Sequence, residues 1–179
     1  MMRHWVIFVM ALGGVMMSVS YTATAAASSQ SRKGELILYL GQTRVNSYAD
    51  PHSLSVSVDF RQRISPKLEY SVMLINEGNP HGFPKRDGIA GEIWWRLPFT
   101  DVSHRLVLTL GTGPYMYYAT MKEATPSGYA DEHRLGWLVS ANVGYTINRH
   151  LTLNAGWIRV GTGNSTDTDI PRVGIGYRE

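Results

Sequence analysis

The chain contains no cysteine, so no disulfide staples a small exported domain and no lipobox thiol carries a lipid anchor. Charge is sparse as well, at 17% of the 179 residues, while 44% apolar content excludes a disordered polyelectrolyte. Lysine is confined to Lys33, Lys67, Lys85 and Lys122, and the formal excess of +3 is spread along the chain, so no nucleic-acid partner is indicated. Beyond residue 27 no apolar run approaches the roughly 18 residues of a membrane-spanning helix. Phosphate-loop chemistry is missing too. Gly111-Thr-Gly113 and Gly161-Thr-Gly163 open no helix and precede no lysine, so no cofactor is implied, and these glycines are expected to relieve crowding in a tight β-structure.

What is present begins with an export signal. Arg3 and His4 precede an uncharged run from Trp5 to Val19, and small residues follow from Ala23 to Ala27. That order is a secretory signal peptide, with cleavage expected after Ala25 or Ala27. Residues 1–27 are therefore assigned to the signal and 28–179 to one barrel domain.

The remainder alternates with period two, as strands with one apolar face do. Eight segments of about ten residues follow from it: Glu35 to Arg44, Ser53 to Arg61, Lys67 to Glu77, Asp87 to Leu97, His104 to Tyr118, His133 to Ile147, Leu151 to Gly161 and Thr168 to Arg178. Pro171 is tolerable near the start of the last. The first, third, fifth and seventh connections (45–52, 78–86, 119–132, 162–167) have 8, 9, 14 and 6 residues, against 5, 6 and 3 for those between them. With both termini periplasmic, all four long loops fall outside the cell, the pattern of an outer-membrane barrel. The predicted fold is an all-β, eight-stranded antiparallel up-and-down transmembrane barrel in the bacterial outer membrane of a Gram-negative cell.

Alternation alone does not say which face meets lipid, and a soluble periplasmic lipocalin-like carrier would alternate equally. Charge decides between them. Asp59, Arg61, Glu69, Glu77, Glu92, Arg96, Arg172 and Arg178 lie opposite the apolar rows, more than a soluble core accepts. In a narrow barrel they would fill the lumen as a paired ionic plug, with Glu92 and Arg96 on one face joined by Asp59 or Arg172. Phe60, Trp95, Tyr145 and Tyr177 are expected outward at periplasmic strand ends, and Tyr118, Trp137 and Trp157 outward near extracellular ends, as two interfacial girdles.

Ala155-Gly-Trp-Ile-Arg-Val, Asn164-Ser-Thr-Asp-Thr-Asp and Val173-Gly-Ile-Gly-Tyr-Arg-Glu resemble the last hairpin of small eight-stranded outer-membrane proteins. The resemblance implies outer-membrane lipids, lipopolysaccharide among them, as surroundings and the barrel-assembly machinery as partner during insertion. Val173, Ile175 and Tyr177 fit the strand form that this machinery reads, whereas Glu179 stands where a terminal aromatic is usual. Asn76-Glu-Gly-Asn-Pro through Arg86-Asp-Gly, with Ile93-Trp-Trp-Arg, is similar to barrels grouped near lipid A deacylases. That likeness implies a serine with a histidine two residues away on one strand and an acidic residue behind it. No His-x-Ser occurs. His52-Ser53 and Ser103-His104 are adjacent, and His150-Leu-Thr152 lies at a periplasmic turn.

A loop-built triad would draw on His81 or His133, Ser127, and Glu77 or Asp131. Asp167 and Asp169 have the spacing of a divalent-cation pair, though an ordinary polar loop is the simpler expectation and no metal is assigned. His81, Lys85, Arg86 and Lys122 are loop candidates for lipid phosphates. The expectation drawn from these residues is a non-enzymatic outer-membrane barrel whose loops meet lipopolysaccharide or a surface partner, with a lipid A acyl hydrolase as the rival.

Overall fold

The computed structural model describes residues 34–46, 51–80, 85–97, 105–122, 129–162 and 167–179; the assigned signal peptide lies outside them. Eight strands follow one another: β1 (Gly34–Val45), β2 (His52–Arg63), β3 (Leu68–Asn76), β4 (Lys85–Leu97), β5 (Leu106–Lys122), β6 (Tyr129–Thr146), β7 (Leu151–Gly161) and β8 (Thr168–Arg178). Each pairs antiparallel with the next, and β8 pairs with β1 to close the barrel.

The register fixes the shape. From Leu97 the paired residues run through Leu108, Val143, Ala155, Val173, Leu40, Val56 and Asn76 to Asp87, so one circuit returns to β4 displaced by 97 − 87 = 10 residues. With strands about 4.8 Å apart and a rise of about 3.3 Å per residue, a shear of that size over eight strands tilts them by about 40°. A tube of this size is wide enough for side chains and little else.

The eight predicted segments are the eight strands, and the largest differences lie at β5 and β6. The alternation predicts a loop over 119–132, but the ladder continues through Thr120↔Asp131 and Met121↔Ala130 to Lys122↔Tyr129. Residues 123–128, which include Pro126-Ser-Gly, lie outside the described residues. The connection expected over 98–103 extends to 105, because β5 starts at Leu106 rather than at His104. The end of the barrel that carries the start of β1 and the end of β8 is called the terminus end here, and the other the loop end.

Two turns at the terminus end are built by side chains. Ser65 Oγ accepts from the backbone N–H of Lys67 and Leu68, and Asn148 Oδ1 accepts from those of His150 and Leu151, substituting for backbone partners in tight connections. Past the end of β3, Gly78 has φ +76°, and a Cβ there would lie 2.2 Å from the Leu54 carbonyl oxygen. Both the left-handed backbone and the close approach demand glycine.

The apolar rows face outward. Leu38, Leu40, Leu74, Ile93, Leu135, Val173 and Ile175 are all exposed, while Asp59, Glu92 and Arg172 are buried. A soluble protein does not display so continuous an apolar exterior, and this overturns the soluble-carrier alternative, which required the apolar rows to line a cavity. The lumen instead holds its largest aromatics against glycines. A Cβ on Gly111 would sit 2.6 Å from Trp94, one on Gly174 2.6 Å from Tyr39, and one on Gly88 2.4 Å from Tyr115.

Two expectations test this arrangement. Leu38, flanked by Val58 and Ile175, lies within the apolar belt, so Leu38→Arg should cost about 2–4 kcal/mol of stability in lipid vesicles, read by denaturant titration. Gly111→Leu should lose about 1–3 kcal/mol or more through overpacking against Trp94, seen as loss of heat-modifiable gel mobility. Gly91→Ala, where an added Cβ meets nothing within 4 Å, should leave that mobility intact.

Candidate functional site

Alternation puts every second side chain of eight tilted strands into one narrow column, and the register stacks them in layers. Nearest the termini is a charged vestibule. Glu35 takes Arg178 Nε at 3.0 Å, and Glu69 pairs with Arg63 at 3.5 Å and with Arg96. Thr152, also a donor to Glu35, links this layer to Asn154 and Asn142.

Above it, Arg61 donates to Asp59 at 2.7 Å and to Tyr39 Oη at 3.2 Å, and its guanidinium lies 3.7 Å from the Trp94 ring centroid. Trp94 Nε1 donates to Ser71 Oγ, and Tyr39 Oη to Asn142 Oδ1. Arg172 covers the other aromatic, 3.9 Å from the Tyr39 centroid, and donates to Ser57 Oγ. Stacking on rings and donating in their own plane partly compensate guanidinium groups that burial deprives of water; Arg172 Nε and Nη2 have no hydrogen-bond partner among the described residues. Glu92 accepts from Ser140 at 2.6 Å.

The next layer is apolar. Met73, Ile75, Ala90, Leu138, Ile158, Val160 and Ile170 pack with Tyr115 and Tyr117 into one buried cluster. Beyond it, at the loop-end mouth, Glu77 pairs with Arg86 at 2.9 Å and accepts from Tyr115 Oη and Thr168 Oγ1, while Arg86 lies 5.7 Å from the Tyr117 ring centroid. The ionic plug is therefore capped by an apolar one.

The eight charged residues assigned to the lumen all point into it, but not every partner is the expected one. Glu92 and Arg96 do not pair. Four residues along a strand is about 13 Å, so Arg96 turns to Glu69 on the neighbouring strand and Glu92 reaches across to Ser140. The alternation did not single out Tyr39, Trp94, Tyr115 or Tyr117, because each adjoins apolar residues that face outward. The signal that could have found them is the doubled aromatic, as in Trp94-Trp95 and Tyr117-Tyr118, where one ring of each pair must point inward.

Phe60, Trp95, Trp137, Tyr145, Trp157 and Tyr177 face outward and are exposed, and Tyr118 is half-buried against the His133 ring at 4.9 Å. Trp137 Nε1 donates to Thr112 Oγ1. Trp157 sits one outward position from Arg159 on the row of Pro171.

Several loop candidates are placed differently from their assignment. Arg86 is a buried residue of β4 tied to Glu77, not a loop cation, because β4 begins two residues earlier than the pattern implied. Lys85 is exposed and pairs with Asp87 at 3.2 Å. Lys122 ends β5, and His81 and Ser127 lie outside the described residues. Asp167 and Asp169 both turn to Arg159, at 3.8 and 3.3 Å, which occupies the carboxylates a cation would need; no metal-binding group of three occurs among the described residues. No triad forms among the described side chains either. Glu77 is spent on Arg86, Tyr115 and Thr168, Ser53 donates to the Glu77 carbonyl, and His150 Nδ1 contacts the Arg178 carbonyl.

No family model matches the chain, and no curated protein matches it. Solved structures do. Neisserial surface protein A is 13% identical with a TM-score of 0.64, over 80% of this chain and 96% of that one. The N-terminal β-barrel domain of OprF from Pseudomonas aeruginosa is 7% identical with a TM-score of 0.59, over 81% and 97%. Ail of Yersinia pestis, in complex with the heparin analogue sucrose octasulfate, is 11% identical with a TM-score of 0.60, over 83% and 99%. Identities this low speak for the fold alone, and the fold agrees with the apolar exterior: the chain is a small eight-stranded β-barrel of the outer-membrane kind.

Proposed function

We propose that the protein is a non-enzymatic outer-membrane barrel whose loop end engages lipopolysaccharide or another anionic ligand at the cell surface. One row of residues carries this reading. Arg159, Asp169, Arg44 and His52 are successive register partners across β7, β8, β1 and β2, on the outward face toward the loop end. On the terminus side of the row lie Trp157, Pro171 and Leu54, exposed to lipid. An arginine beside an apolar surface is where lipid phosphates meet a barrel.

Arg159 is shared with Asp167 and Asp169, whereas Arg44 Nε donates to Gln42 Oε1 at 3.1 Å and the Arg44 guanidinium has no carboxylate partner among the described residues. It is the cation of the row best placed to take a phosphate through charge-assisted hydrogen bonds. The packed lumen argues against a diffusion pore, and the commitment of Glu77 and His150 to structural contacts argues against hydrolysis.

Arg44→Glu should weaken binding to lipopolysaccharide-containing vesicles by about fivefold or more, since a surface arginine near anionic headgroups is worth about 1 kcal/mol. Equal binding by variant and wild type in a flotation assay would remove the row from the interaction. Mass spectrometry of lipid A from cells overproducing the protein should show every acyl chain retained, and loss of one would favour the acyl hydrolase instead.

A further inference from the structure

We propose that the vestibule at the terminus end of the lumen is a binding site for a phosphate-class dianion. It is a cavity of about 240 Å³ lined by Glu35, Arg61, Arg63, Glu69, Arg149 and Arg178, with Thr146 at its edge. This volume admits a phosphate and some water, and four guanidinium groups face it.

The charge balance favours an anion. Arg178 is matched by Glu35, Arg61 by Asp59 beneath the vestibule floor, and Arg63 and Arg96 share the single carboxylate of Glu69. Arg149 has no side-chain partner among the described residues. Among the lining residues and their ion-pair partners, five arginines stand against three carboxylates, 5 − 3 = +2. Two uncompensated charges inside walls of low dielectric focus the field on a small volume, and planar guanidinium forks match phosphate oxygens in pairs.

The groups are also held in place. Arg63 ends β2, Arg178 ends β8 and donates to Thr146 Oγ1 at 3.2 Å. Arg149 sits in the turn that Asn148 closes through its two backbone hydrogen bonds, so its backbone is ordered before binding and only the exposed side chain remains to be ordered. Deeper entry is blocked, because Arg61 lies against Trp94 and the apolar layer follows. Only a headgroup-sized anion fits. The site faces away from the loop-end row and does not depend on the function proposed for it.

The test uses the membrane-inserted protein in phosphatidylcholine nanodiscs, in phosphate-free buffer with ionic strength fixed by chloride. Inorganic phosphate is titrated while the backbone amides from Thr146 to Leu151 are followed by NMR, and a parallel sample carries phosphatidic acid in the bilayer. Saturable shifts with inorganic phosphate, without competition from phosphatidic acid, identify a free phosphate as the ligand. Shifts produced by phosphatidic acid identify a lipid phosphate. Arg149→Gln and Arg63→Gln should each weaken the effective anion by about tenfold, the loss of one charge-assisted contact, and heat-modifiable mobility establishes that each variant is folded. Absence of saturable shifts with either source, shifts that follow ionic strength whatever the anion, or unchanged affinity in both folded variants would overturn the proposal.

Discussion

Closure of β8 on β1 with a ten-residue shear governs the rest of the structure. It removes every edge within the closed part of the sheet and satisfies the backbone internally, as the hydrocarbon region requires. It also fixes the bore, and a bore this narrow must be filled by the side chains that alternation sends inward. Large rings are accommodated only where the adjoining strand offers glycine, which is why Trp94 lies on Gly111 and Tyr39 on Gly174. The arginines then lie on those rings. Removing a glycine would displace a ring, and the ring would no longer carry its cation.

Charges buried so deeply are costly unless each is paired and hydrogen-bonded. The lumen meets that condition unevenly. At the loop end Glu77, the residue that follows β3, has partners on three strands, Arg86, Tyr115 and Thr168, which ties the end of β3 to β4, β5 and β8 across the bore. In the middle, one oxygen each of Asp59 and Glu92 and two nitrogens of Arg172 have no protein partner among the described residues. Polar atoms of that kind are where internal water binds.

Strand number, order and face were legible in the sequence because lipid imposes one rule on every outward position. Leu36, Leu38 and Leu40 read as a row whatever lies between them. Ile37 and Tyr39, inward and fully buried, obey no such rule, since the lumen accepts a ring, an ion or an aliphatic chain according to what the other strands present. Partner choice was hidden for the same reason: Arg96 finds Glu69 through the β3–β4 register, which no local spacing encodes. The vestibule was the least legible feature. Arg63 and Arg149 stand at turns, where charge is expected merely to be solvated, and only barrel closure brings them beside Arg178 and Glu35.

The β5–β6 ribbon, finally, outgrows the tube. β6 begins at Tyr129, yet its register with β7 begins only at Trp137, so the stretch 129–136 presents a side that β7 does not cover. An edge of that length is an invitation for a foreign strand to add on. The sequence places Asp131, Glu132, His133 and Arg134 along it, and a charged border of this kind discourages one barrel from zipping onto another in a crowded membrane.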